Sequence, residues 1–168
     1  MSLNIDNFRD EYLNSDKTLK EEYFLVHNYS AGLCEIPRNI TLLIHKDLSF
    51  EIKFVWYKYP VAKRLYSIYK NNLIPENIIE TINEINETKQ IELQELYSTF
   101  NGKYVPEDVS HSSIYFNHNG ETYSVNMSSY LMGEKLFISN QEKTVLKLHS
   151  LLSEWKDKLY DAITEIHK

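Results

Sequence analysis

The clearest alternation of hydrophobic and polar residues lies between Arg38 and Lys58. Its first arm, Ile40 to Ile44, is apolar on both sides, which is typical of an inner strand. Its second arm alternates, and every second residue is a large apolar one: Phe50, Ile52, Phe54 and Trp56. The positions between them are Glu51, Lys53, Val55 and Tyr57. This pattern predicts a hairpin whose second strand buries one face, with a four-residue turn at Lys46 to Ser49.

A second hairpin is predicted between Ser112 and Met127. The pair Asn119-Gly120 is the one that a two-residue type I′ turn prefers, because both positions need positive φ. Counting outward from this turn opposes His118 with Glu121, Phe116 with Tyr123, Ile114 with Val125 and Ser112 with Met127. The other face of the hairpin is then polar and uncharged, and it consists of Ser113, Tyr115, Asn117, Thr122, Ser124 and Asn126.

Shorter patterns fill much of the remaining chain. Residues 22–29 are apolar and β-prone and predict a strand. Residues 61–70 fit either a helical face or a strand, and we favour a third strand. Residues 3–14 and 91–100 each predict a short amphipathic helix.

Two stronger helical patterns follow the first hairpin. Pro75 stands at a first helical position, and isoleucines at 78, 79, 82 and 85 predict a helix to about Glu87. Ser139 and Glu142 form a capping box before a long C-terminal helix. The apolar stripe of this helix advances in steps of three and four: Val145, Leu148, Leu152, Trp155, Leu159, Ala162 and Ile166. This stripe suits a helix that closes the chain's own sheet, and it also leaves open a coiled-coil dimer.

Together these elements predict one α+β domain spanning residues 1–168. A largely antiparallel sheet contains both hairpins, and the Pro75 and C-terminal helices cover one of its faces. The expected core includes Phe54, Trp56, Ile114, Val125, Leu152 and Trp155.

Composition indicates a globular chain. Of its 168 residues 42% are hydrophobic, and Cys34 is the single cysteine, so no internal disulfide can form. The N-terminus does not read as a signal peptide, and no apolar run reaches the ~20 residues that span a bilayer. We therefore expect a cytoplasmic protein without a membrane partner, either monomeric or homodimeric.

The short motifs of common enzymes are missing: there is no glycine-rich phosphate loop, His-Glu-x-x-His, Cys-x-x-Cys or Gly-x-Ser-x-Gly. We accordingly expect no catalytic residue, metal or cofactor. An enzyme with a site at Cys34, using His27 or His45 as base, remains an alternative. His111 and His118 are seven positions apart, which places them on opposite faces of a strand, and we expect His118 to be solvated.

Residues 53–70 interleave positive charges with aromatic side chains. The cations are Lys53, Lys58, Lys63, Arg64 and Lys70, and the aromatics are Trp56, Tyr57, Tyr59, Tyr66 and Tyr69. This mixture holds phosphates and stacks bases in proteins that bind single-stranded nucleic acid. The simpler interpretation is that the aromatics serve the core and the lysines protect an outer strand from pairing. Single-stranded nucleic-acid binding is therefore kept as an alternative function.

Four glutamates, Glu76, Glu80, Glu84 and Glu87, line one face of the predicted Pro75 helix. Like charges at this spacing repel by a few tenths of a kcal/mol per pair, so local stability does not favour them. The chain carries a net charge of -6, and this block supplies much of it. The pattern fits either a solvated face or a surface that attracts a basic protein.

In its size, sorted charge, aromatic content and lack of catalytic motifs, the chain resembles the small acidic immunity proteins with which bacteria neutralise secreted toxins. The resemblance implies a stoichiometric inhibitor that covers a toxin's active site, with carboxylates standing in for nucleic-acid phosphates. On this hypothesis the partner is a basic toxin or nuclease. The expected partner-binding residues are Glu76, Glu80, Glu84, Glu87, Ser113, Tyr115, Asn117, Thr122 and Ser124.

Overall fold

A computed structural model of the chain describes five stretches of residues. They are 9–31, 38–58, 63–89, 110–128 and 140–166. The chain divides into two compact units: the first comprises Met1–Leu73 and Glu95–Glu134, and the second comprises Ile74–Gln94 and Lys135–Lys168. The prediction of one domain covered by helices concerns how these units are placed, and it stays a prediction.

The first unit contains a six-stranded sheet in which every pairing is antiparallel. The strands are β1 Tyr23–Ser30, β2 Arg38–His45, β3 Phe50–Lys58, β4 Lys63–Asn71, β5 His111–His118 and β6 Glu121–Ser128. Their order is β4-β3-β2-β1-β5-β6. The helices are α1 Arg9–Tyr12, α2 Glu76–Glu87 and α3 Asn140–Ile166. The chain is therefore an α+β protein with an antiparallel sheet and a long C-terminal helix, as its sequence predicts.

Both predicted hairpins are confirmed. The β5–β6 pairing has the register counted outward from Asn119-Gly120, and these two residues have φ of 51° and 81°. Strands β2 and β3 pair with each other on either side of the predicted turn at residues 46–49. Residues 63–71 form β4, so the ambiguous stretch after Pro60 is a strand that pairs with β3.

One face of the sheet, which we call the apolar face, is built of large buried side chains. Among them are Leu25, Leu42, Ile52, Phe54, Ile114, Phe116 and Val125. Side chains alternate between the two faces along each strand, and residues directly opposite each other in paired strands share a face. Both rules place these side chains on the same side of the sheet. The predicted core positions Phe54, Ile114 and Val125 are confirmed, whereas the side chain of Trp56 lies outside the described residues.

The opposite face, which we call the N-terminal face, is also buried over β3. The pattern predicted that one side of this strand faces solvent, but Glu51, Lys53 and Val55 are all buried, so that prediction is wrong. The N-terminal segment lies on this face: Tyr12 and Leu19 pack with Tyr23, Val26 and Leu43 of the neighbouring strands, and the Glu11 carboxylate accepts a hydrogen bond from Lys53. A segment distant in sequence thus provides the cover that local alternation cannot reveal.

The N-terminal helix ends two residues earlier than the predicted position 14. Its described part, α1, ends at Tyr12, and Leu13 then pairs with Leu19 across a turn at Asn14 to Thr18. Lys17 in this turn has a φ of 68°. The predicted helix over residues 91–100 lies outside the described residues.

Helix α2 spans Glu76–Glu87, so the predicted helix is confirmed, but Pro75 is its non-helical N-cap and not its first helical residue, with φ of -55° and ψ of 137°. Its buried side chains are Ile78, Thr81, Ile82 and Ile85, and Ile79 is half-buried. The Thr81 hydroxyl donates to the carbonyl of Asn77 at 2.7 Å, which satisfies a buried polar group within the helix. Helix α2 packs against α3 in the second unit.

The buried stripe of α3 departs from the predicted one at its C-terminal end. Leu152 and Trp155 are buried as expected, but Ala162 is exposed and Ile163 is buried in its place. An α-helix has 3.6 residues per turn, so a straight helix drifts away from a strict seven-residue repeat. The predicted cap, Ser139, lies outside the described residues.

Candidate functional site

The four glutamates of α2, which we call the acidic ridge, are Glu76, Glu80, Glu84 and Glu87. At ~100° per residue they fall within an arc of about 80°, on the side of the helix away from its isoleucines. All four side chains are exposed. The structure therefore brings together four of the nine predicted partner-binding residues.

Glu84 differs from the other three because α3 holds it. The Thr144 hydroxyl donates to its Oε1 at 3.0 Å, and the Nζ of Lys147 is 3.6 Å from its Oε2. Both ends of this ion pair are more than half exposed, so it contributes at most ~1 kcal/mol. Within the described residues, Glu76, Glu80 and Glu87 have no hydrogen-bond or ion-pair partner.

The position of the ridge on its helix adds a further cost. Glu84 and Glu87 occupy the last turn of α2, which contains no basic residue. The C-terminal end of a helix carries partial negative charge, so an acidic side chain there is unfavourable by a few tenths of a kcal/mol. Glu76 in the first turn is favourably placed for the same reason. The stability of α2 therefore favours Glu76 but does not favour Glu84 or Glu87.

The uncharged face of the β5–β6 hairpin contacts the chain's own N-terminal segment. The side-chain Nδ2 of Asn117 lies 3.3 Å from each of the carbonyl oxygens of Leu19, Lys20 and Tyr23. The Thr122 hydroxyl donates to Oδ1 of Asn117 at 2.8 Å and accepts from the Leu19 N–H at 2.9 Å. These two residues anchor the N-terminal segment to the sheet.

Tyr115 belongs to the same contact. Its ring centroid is 6.2 Å from that of Tyr12, and it packs against the buried cluster of the N-terminal face. Ser113 is half-buried, and Ser124 is exposed. Of the predicted hairpin residues, Ser124 is therefore the most accessible, whereas Tyr115, Asn117 and Thr122 have structural partners. The hairpin face lies in the first unit and the acidic ridge in the second, and each is a separate candidate surface.

A charged cluster on the N-terminal face was not predicted. The buried Glu51 has its Oε1 3.4 Å from Nζ of Lys53 and its Oε2 3.4 Å from Nζ of Lys70. The Nε2 of His45 is 3.9 Å from the same Oε2, and Lys53 also donates a hydrogen bond to the Glu11 carboxylate. Burial alone would lower the pKa of Lys53, but the Glu11 hydrogen bond and the charge of Glu51 raise it above its ordinary value. Lys53 is thus a buried ammonium ion with carboxylate partners.

This cluster weakens the case for nucleic-acid binding. Lys53, one of the five cations in residues 53–70, is buried and paired with carboxylates, whereas the side chain of Lys70 is 72% exposed. The side chains of residues 56–68 lie outside the described residues. The predicted basic-aromatic surface therefore loses at least one of its phosphate-binding cations.

The candidate enzyme site is only partly described. Cys34 lies outside the described residues. His27 is buried on the apolar face, with its Nε2 2.9 Å from the Ser112 hydroxyl, while His45 lies beside Glu51 on the N-terminal face. The two candidate bases thus lie on opposite faces of the sheet, so they cannot serve one nucleophile together.

The prediction that His118 is solvated is wrong. His118 is 4% exposed, its Nε2 is 3.0 Å from Nδ2 of Asn119, and its ring centroid is 6.3 Å from that of Tyr123. His111 at the start of the strand is exposed. Proximity to a turn made His118 look accessible, but it shares a side of β5 with Phe116 and is buried with that residue.

In the described stretches, no helix is long and apolar enough to cross a membrane. No group of three or more His, Cys, Asp or Glu side chains within those same stretches is arranged to hold a metal ion. No protein-family model, curated protein sequence or solved structure matches the chain.

Proposed function

We propose that this protein acts by binding a basic protein through the acidic ridge of α2. The observation that supports the proposal is the set of three exposed carboxylates, Glu76, Glu80 and Glu87, which have no partner among the described residues. No lysine or arginine lies on α2 itself to neutralise them. A positively charged partner would supply the missing counter-charge.

The physical effect of such a ridge is on association. A surface that carries one sign of charge raises the local concentration of oppositely charged partners and can increase association rates by about 10- to 1,000-fold. Rim charges of this kind change the association rate and its salt dependence more than the dissociation rate. The ridge would thus select basic partners and capture them rapidly.

The class of partner that fits best is a basic toxin or nuclease, for which this protein would be a stoichiometric inhibitor in the cytoplasm. Enzymes that act on nucleic acid attract phosphates with basic residues around the active site. A row of carboxylates can occupy the same electrostatic field and block substrate entry. The exposed Ser124 and the half-buried Ser113 of the hairpin face are kept as secondary contact candidates.

The proposal is tested by differential capture from the native host. The parent protein, a ridge variant and a control variant are immobilised and exposed to lysate at low salt. The ridge variant carries Glu76→Gln, Glu80→Gln and Glu87→Gln, which leaves the contacts of Glu84 intact. The control carries three neutralisations at other exposed acids: Glu21→Gln, Glu154→Gln and Asp161→Asn.

Both variants have the same net charge, so the comparison isolates the position of the charge. We expect the parent and the control to retain a basic protein that the ridge variant does not retain. The captured protein is then purified, and a toxic or nuclease activity that one equivalent of the parent abolishes would establish the inhibitor class. A partner retained equally by all three proteins would contradict the assignment of the ridge.

A further inference from the structure

The two edges of the sheet have different chemistry. The outer strand β4 carries Lys63, Arg64 and Lys70, and charged residues of this kind protect an edge from pairing with another chain. The outer strand β6 is eight residues long and has a single charge, Glu121, beside the turn. It contains no proline, and its pairing with β5 shows no bulge. Among the described residues, no strand pairs with the outer edge of β6.

The tight turn determines which backbone groups of β6 point outward. In a two-residue hairpin the flanking residues, His118 and Glu121, form a hydrogen-bonded pair, and such pairs then alternate with non-hydrogen-bonded ones. Thr122, Ser124 and Asn126 therefore direct their backbone N–H and C=O groups away from β5. The exposed Ser124 stands at the centre of this row.

We propose that β6 pairs with β6 of a second copy of this chain, antiparallel and about a two-fold axis at Ser124. Each Thr122 then lies opposite Asn126 of the other copy, and the outward groups form about six backbone hydrogen bonds. Tyr123 lies opposite Val125, an aromatic and β-branched pair that stabilises antiparallel strands. The result is a continuous sheet that extends through both copies.

Charge favours a second copy at β6 and opposes one at β4. In the two-fold register at β6, Glu121 lies opposite position 127, a methionine, so no like charges meet. The equivalent two-fold pairing of β4, centred on Ser67, places Arg64 opposite Lys70 twice, and like charges directly opposite each other are destabilising. Self-pairing is therefore expected at one edge of the sheet and not at the other.

The test uses sedimentation equilibrium of the full-length protein and two variants at one position. Ser124→Pro removes the outward N–H without breaking a hydrogen bond to β5, because proline is tolerated in an edge strand with its nitrogen facing outward. Ser124→Ala keeps the N–H and is the matched control. We expect the parent to dimerise below ~100 µM, Ser124→Pro to raise the dissociation constant by at least about tenfold, and Ser124→Ala to change it less than about threefold.

A monomeric parent at ~1 mM would overturn the proposal, as would a dimer that Ser124→Pro leaves unchanged. Hydrogen exchange of the parent provides a second measurement that needs no variant to fold. Protection of the Ser124 and Asn126 amides should rise with protein concentration, and protection that is independent of concentration would also overturn the proposal. This outcome is distinguishable from that of the proposed function, because neither Ser124 variant changes a residue of the acidic ridge.

Discussion

The buried ammonium group of Lys53 donates a hydrogen bond to the carboxylate of Glu11, a residue 42 positions away in the sequence. This contact joins the N-terminal segment to the central part of β3. Lys53 also lies near Glu51, so it remains close to one carboxylate if Glu11 is removed. The main effect of the Lys53–Glu11 bond is therefore to attach the N-terminal segment to β3, because Glu51 can still balance the charge of Lys53.

We expect Glu11→Ala to lower the free energy of unfolding by about 1–3 kcal/mol, because a buried ammonium loses a charged hydrogen-bond partner. The pKa of Lys53 is raised by its carboxylate partners in the folded state, so the stabilisation is fully present below the unfolded value of 10.5. It is lost as the pH rises through the folded pKa. Urea unfolding of parent and variant at pH 7 measures the effect, and an unchanged midpoint would contradict it.

A second prediction concerns Asn117, which contacts the same N-terminal segment. Its side-chain amide donates to the carbonyls of Leu19, Lys20 and Tyr23, so Asn117→Ala removes these partly buried hydrogen bonds and should cost about 1–3 kcal/mol. Ser124→Ala on the same hairpin face is exposed and should cost less than about 0.5 kcal/mol. Chemical denaturation of both variants checks the difference. Equal stabilities would show that the Asn117 contacts do not anchor the segment.

His149 on α3 makes the stability depend on pH. Burial, followed by the nearby charge of Lys156, lowers its pKa from 6.5 to about 4. The unfolded chain binds a proton at His149 as the pH falls through 6.5, whereas the folded chain does not until about 4. Stability is therefore lost across this window, by about 3 kcal/mol in total.

The check is a comparison of urea unfolding between pH 7 and pH 4 for the parent and for His149→Gln. The variant lacks the titrating group, so the difference in unfolding free energy between the two proteins should shift in its favour by about 3 kcal/mol as the pH falls. Carboxylates that titrate in the same range contribute equally to both proteins and cancel. A difference that does not change with pH would contradict the account.

Trp155 tests the packing of the long helix. Its side chain is 8% exposed, and Trp155→Ala should lower the free energy of unfolding by about 3–5 kcal/mol. Leu73, which is 75% exposed, provides the matched control, because Leu73→Ala removes little buried surface. Thermal or urea unfolding distinguishes them. A loss at Trp155 no larger than that at Leu73 would show that the helix face is wrongly assigned.

The elements that the sequence predicts well are those determined by local chemistry. Asn119-Gly120 determines the register of β5 and β6 because few residue pairs accept two positive φ angles in succession. Pro75 marks the start of α2 in the same local way. The ridge follows directly, since exposure of Glu76 and Glu80 is a consequence of helical periodicity.

The parts that could not be predicted depend on contacts between distant residues. Lys53 is paired with Glu11, and the side chain of Asn117 bonds the backbone near Leu19. The alternation of residues within a strand reveals neither contact. The turn beside His118 indicates exposure, whereas the side of β5 on which His118 lies is buried. Ile163 is buried where the heptad pattern predicted Ala162. The small difference between 3.5 and 3.6 residues per turn accumulates along the helix, so it shows only at the end of a long one.

The measurement that tests the central claim most directly is the association rate of the captured partner as a function of salt. Stopped-flow binding of the parent, the Glu76, Glu80 and Glu87 ridge variant and the net-charge-matched control is compared at several ionic strengths. We expect the ridge variant to associate at least about tenfold more slowly at low salt and to lose most of the salt dependence, while the control follows the parent. A ridge variant that associates as fast as the parent, with the same salt dependence, would show that the acidic ridge is only a solvated face.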